Sequence, residues 1–151
     1  MEGITALIRE VKSKRNQIKQ LQEELNISLK PILSDISLMS TIYAWYKDIY
    51  PMGIDSSRES CTRFNLCFIF IILLLYSPQI LIDSKIKFGI RDEIARVLGY
   101  APCTISGYLQ KVEFFYERYK DYKETIDFCY AELYNKLKEE QLLPKERIFL
   151  H

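Results

Sequence analysis

Residue types able to perform covalent or acid–base chemistry are scarce in this chain. The four cysteines, Cys61, Cys67, Cys103 and Cys129, contain no C-x-x-C pair, and the one histidine is the last residue, His151. A structural zinc site needs several closely spaced Cys and His ligands, so no metal is expected. There is no glycine-rich phosphate loop, no G-x-S-x-G elbow and no histidine placed to activate a Ser or Cys. The acidic pairs Asp92-Glu93 and Glu139-Glu140 are adjacent, so their side chains diverge on a helix and read as solvated charge. The expectation is a non-enzymatic protein with no catalytic residues and no cofactor. Cys61 and Cys67, six apart, are poorly spaced for a disulfide on one helix, and no secretory signal is recognisable. Reduced, mostly buried thiols in a cytoplasm, or in a virion assembled there, are therefore expected.

Non-covalent chemistry is better represented. Residues 85–111 hold Lys85, Lys87, Arg91, Arg96 and Lys111 against Asp92 and Glu93, a local +3 in a chain that nets +1. Residues 1–50 hold seven basic and six acidic side chains, and residues 112–151 hold seven and nine, so neither flank adds an electrostatic arm. Near-neutrality excludes a protein that coats nucleic acid by charge alone. A monomer would neutralise only about four or five phosphates, and its affinity would fall steeply with salt. Useful binding would then require a dimer or larger assembly.

The element that would position these cations spans RDEIARVLGYAPCTISGYLQKV, from Arg91. Ile94, Ala95 and Leu98 precede Gly99, and Ile105, Tyr108 and Leu109 follow it, which predicts two short helices around a tight turn. Ala95 is small where a second helix would cross closely, and Gly99 suits a left-handed turn. Pro102 is acceptable as an early helical residue. Through Ala95, Gly99 and Ile105 this segment resembles the helix-turn-helix DNA-binding proteins of bacteria and phages, over about 22 of the 151 residues. The resemblance implies a second helix that enters the major groove of double-stranded DNA. Carried over, its reading face is Cys103, Thr104, Ser106, Gly107, Gln110 and Lys111. Gln110 can bond adenine bidentately, and Thr104 and Ser106 can reach bases or phosphates. Arg91 and Arg96 would clamp phosphates, joined by Lys85 and Lys87. No arginine lies on the reading helix, and Gly107 sits inside it, either for close backbone approach or because that helix only packs.

Around this segment the chain reads as all-α: a helical coil or hairpin, then a compact multi-helix domain containing the helix-turn-helix. Ile4, Leu7, Val11, Ile18, Leu21 and Leu25 follow alternating three- and four-residue steps, with Lys14 interrupting the series. After a stutter to Leu29 the seam resumes at Ile32, Ile36, Met39, Tyr43 and Tyr46 until Pro51, with a kink at Pro31. Residues 1–50 are thus expected to form a coil that associates with itself, docks on another helical protein, or folds back on its own globule. Residues 51–63 read as a hinge, 64–141 as the helical domain and 142–151 as a tail whose Ile148, Phe149 and Leu150 dock elsewhere.

The run Leu66–Tyr76 is apolar throughout but shorter than the about 20 residues a membrane span needs, so it predicts a buried core helix and no membrane partner. A new helical turn is expected at Ser77-Pro78. Asp121 and Glu124 are spaced as a capping box for a last long helix, with an apolar stripe at Phe128, Leu133 and Leu137. The tyrosines at 116, 119, 122, 130 and 134 suit either base stacking or half-buried packing between helices. The functional expectation is an oligomeric DNA-binding regulator of phage or mobile-element type. The alternative is a structural or assembly protein, such as a virion component, that uses the helical module for protein contacts.

Overall fold

Eleven consecutive apolar side chains without a polar break leave a helix no face to show to water, and such a helix must be enclosed. The computed structural model, which describes residues 2–53, 56–82 and 85–144, bears this out. It is all-α, with no strand among the described residues. Two compact units divide it, Met1–Lys30 and Pro31–His151. The first is the helix α1, Glu2–Ser28. The second contains α2 (Met39–Ile49), α3 (Arg58–Tyr76), α4 (Ile90–Leu98), α5 (Pro102–Leu109), α6 (Val112–Arg118) and α7 (Lys120–Glu139). Short 3₁₀ turns at Ile36–Leu38 and Pro78–Leu81 join them.

Helix α3 is the axis of the second unit and touches α2, α4, α5, α6 and α7. From Phe64 to Tyr76 every residue but Leu74 is buried. It is the one helix among the described residues long and apolar enough to cross a membrane, and two-thirds (67%) of that stretch is buried by its own neighbours. Its start is fixed by Ser57, whose Oγ accepts from the Ser60 amide at 3.2 Å. At its end the otherwise unpaired carbonyl of Leu75 accepts from the amides of Ile32 and Leu33, at 3.0 and 2.9 Å.

That last contact moves a boundary. Of the outcomes left open for residues 1–50, packing on the chain's own globule is the one seen from Pro31 onward, so the boundary lies there and not at residue 50. Met39, Ile42 and Tyr46 are fully buried, the Tyr46 hydroxyl donates to the Phe64 carbonyl at 2.6 Å, and the Tyr76 hydroxyl donates to the Asp35 carbonyl at 2.7 Å. The hinge is also shorter than 51–63, because Arg58–Arg63 are the first turns of α3. Met52, inside it, is held through its sulfur by Arg63 and by Thr125.

Two expectations for α7 need correction. Asp121 and Glu124 form no capping box, since α7 starts at Lys120 with no side-chain cap. Asp121 instead pairs with Arg63 on α3 at 2.8 Å. The buried stripe is Tyr122, Ile126, Cys129, Leu133 and Leu137, and Phe128, one position round the helix, is exposed. Beyond α7, Leu143 packs on the core, while Ile148, Phe149 and Leu150 lie outside the described residues.

Candidate nucleic-acid interface

Helix α4 is bracketed by two glycines in the left-handed region, Gly89 at φ 87° and Gly99 at φ 78°. Asp92 and Glu93 sit in its first turn and Arg96 in its last, the arrangement that the helix dipole favours. At Gly99 the chain reverses: the amides of Gly99 and Tyr100 both donate to the Ala95 carbonyl at 2.9 Å. Ala101 then precedes α5 in an extended conformation, with Pro102 in the first turn. Ile94, Ala95 and Ile105 are buried where the two helices meet. The turn is anchored to the core by the buried Asn65 of α3, whose Nδ2 donates to the Tyr100 hydroxyl at 2.9 Å.

This arrangement leaves Cys103, Thr104, Gly107, Gln110 and Lys111 exposed on or just after α5, with Ser106 half-buried. The face divides into two flanks. On one, Thr104, Gly107, Tyr108 and Lys111 line a cleft of about 730 Å³ together with Arg58, Glu59, Thr62 and Arg63 of α3 and with Phe115, Tyr119, Asp121 and Tyr122, so its charge is mixed. On the other, Ser106 and Gln110 share a smaller cleft of about 530 Å³ with Arg91, Phe70 and Ile86. Arg91 donates to the Ser106 hydroxyl at 3.2 Å and is 3.7 Å from Asp92.

The sequence-expected cations are therefore not equivalent. Thr104 and Lys111 come together on the first flank, and Arg91, Ser106 and Gln110 on the second. Arg96 is turned away toward α2: it pairs with Glu93 and donates to the Ser40 hydroxyl at 3.0 Å. Its pKa is raised by the hydrogen bond to Glu93, so it stays charged but is engaged within the fold. Lys85 and Lys87 are exposed in the segment before α4, where the Lys87 amide donates to the Ser77 hydroxyl at 3.1 Å.

Arg58 is the residue that sequence reasoning missed. It lines the larger cleft with Lys111, and neither side chain forms an ion pair or hydrogen bond among the described residues. No spacing rule connects residue 58 to residues 104–111, since only the packing of α5 against α3 makes them neighbours. Arg63, beside it, is committed: it pairs with Asp121 and lies 5.2 Å from the centre of the Tyr122 ring. Burial alone would depress its pKa, but the Tyr122 and Asp121 contacts reverse this and hold it raised.

The tyrosine band is mostly packing. Tyr122 is buried, Tyr116 lies against Phe70 and donates to Asp127 at 2.7 Å, and Tyr130 stacks on Tyr134. Of this band only Tyr119, stacked on Phe115 at 5.2 Å, is exposed, at 44%. Among the described residues no group of Cys, His, Asp and Glu could hold a metal ion. No protein-family model matches this chain, and no curated protein or solved structure matches it either.

Proposed function

We propose that α4 and α5 act as a helix-turn-helix and that the protein is a non-enzymatic, oligomeric DNA-binding regulator of the type carried by phages and mobile elements. The observation that carries this reading is the local geometry. Buried Ala95 and Ile105 with left-handed Gly99 make the tight crossing, and the second helix keeps an exposed polar face. The cations support it. Unpaired Arg58 and Lys111 on one side of α5, with Arg91, held by Ser106 and Asp92, on the other, flank that helix as phosphate-positioning groups flank a reading helix. Gln110 and Thr104 are then the side chains available to base edges. The absence of arginine from α5 implies modest discrimination by each copy, so specificity is shared between two half-sites.

Titration of labelled duplex DNA at several salt concentrations tests the reading. Wild type is expected to bind with a steep inverse salt dependence, and Arg58→Ala/Arg91→Ala/Lys111→Ala to bind at least about tenfold more weakly with a shallower slope. Arg96→Ala, whose guanidinium is already engaged, is expected to change binding far less. Binding that is missing at low salt, or that survives the triple substitution unchanged, overturns the proposal and favours an assembly protein that uses this face for protein contacts.

A further inference from the structure

Helix α1 carries its own instructions for a partner. Its 27 residues make a rod about 40 Å long whose apolar side chains are all exposed, with Ile4, Leu7, Val11, Ile18 and Leu21 each more than half accessible. A helix of this kind is marginal in water until that stripe is covered. Written as a heptad, the a positions are Ile4, Val11, Ile18 and Leu25, and the d positions are Leu7, Lys14 and Leu21. β-Branched residues at a with leucine at d is the pattern that favours two parallel strands.

Charge then selects the orientation. Glu10 falls at g and Arg15 at the following e, the pair that meets between chains in a parallel, in-register dimer. Two antiparallel registers retain most of the seam. One sets Arg15 against the partner's Ile8 and Glu10 against the partner's Gln17, forming no ion pair. The other sets Arg15 against the partner's Arg15 and Glu10 against the partner's Glu24, like charges facing each other. Lys14 fixes the stagger. Its ammonium already bonds Glu10 of the same helix at 2.8 Å, so in register two locally neutralised lysines share one layer and reach out to water. A slip of one heptad would press each lysine against a leucine.

We propose that α1 pairs with α1 of a second copy as a parallel, in-register, two-stranded coiled coil, with Lys14 as its single polar layer and Glu10 bonded to the partner's Arg15. This deepens, and rests on, the oligomeric part of the functional reading above. DNA binding is measured separately, so the two fail in distinguishable ways.

The test uses the full chain. Sedimentation equilibrium at tens of micromolar and low salt should give twice the 17.9 kDa chain mass. Arg15→Glu and Glu10→Arg should each weaken the dimer by roughly tenfold, and the double reversal should recover part of that loss, short of the part that Glu10 contributes through Lys14. Emission of Trp45 checks that each variant keeps its folded globule. In a Cys61→Ser/Cys103→Ser background, Leu21→Cys should cross-link to itself under mild oxidation, because the two residues 21 share a layer only in the parallel arrangement. A monomeric wild type, one that instead binds anionic vesicles, single reversals without effect, or no cross-link at residue 21 each overturn the proposal. A dimer that behaves as described but ignores duplex DNA supports it and removes the regulator reading.

Discussion

Gly107 occupies the middle of a helix with ordinary backbone angles, and a Cβ built there meets nothing within 4 Å. Gly107→Ala should therefore stabilise the protein by about 0.5–1 kcal/mol in urea denaturation. Gly99 is equally uncrowded but sits at φ 78°, so Gly99→Ala should cost about 1–2 kcal/mol from backbone strain alone. If Gly107→Ala also weakens DNA binding, the glycine serves close approach to a ligand and not to its own chain. The cysteines make a second residue-scale contrast. Burial, reinforced by Cys129 nearby, pushes the Cys67 thiol from 9.0 up to about 12, and burial raises Cys129 to about 11. Both bind their protons more tightly folded than unfolded, so their contribution is complete below pH 9 and is lost as pH rises toward 11–12. Replacing both with alanine should flatten the alkaline fall in stability. In native protein, exposed Cys103 should react with a thiol reagent while Cys67 and Cys129 stay protected until unfolding.

At the scale of elements, stability is concentrated where α3 meets its neighbours. Ile72→Ala and Ile105→Ala should each cost about 2–5 kcal/mol, whereas exposed Phe128→Ala should fall within about 0.5 kcal/mol of wild type. Chemical denaturation of the three variants decides this. The same elements show what a sequence reveals. Helix ends set by neighbours along the chain were legible: the turn at Ser77-Pro78 and the left-handed Gly99 depend on a few adjacent residues. The enclosed α3 was legible because eleven consecutive apolar residues, too few for a membrane span, leave a helix no face for water. The placement of residues 31–50 was not, because an apolar stripe on a helix looks the same whether it faces another copy or its own core. Phe128 and Asp121 failed for a related reason. One position round α7 decides which side chains meet α3, and Arg63 across the gap redirected Asp121 from capping to pairing. That Arg58 and Lys111 line one cleft is a product of tertiary packing alone, so the cleft could not be read from spacing.

For the whole molecule, the division at Lys30/Pro31 separates two kinds of stability. Pro31–His151 encloses its own core, and among the described residues no buried polar side-chain atom lacks a partner. Helix α1 has no core of its own, so under the proposed pairing its stability would follow from concentration through mass action. The chain holds a single tryptophan, Trp45 on α2, half-buried with the Lys136 ammonium of α7 lying 5.7 Å from its ring. Helix α1 has no aromatic residue at all. Tryptophan emission therefore reports on the unit that holds Trp45, while far-ultraviolet dichroism records helix in both units. Heating should give curves that do not superimpose: an early dichroism phase whose midpoint climbs with protein concentration, and a later emission change that does not. Coincident curves would mean that the two units melt as one.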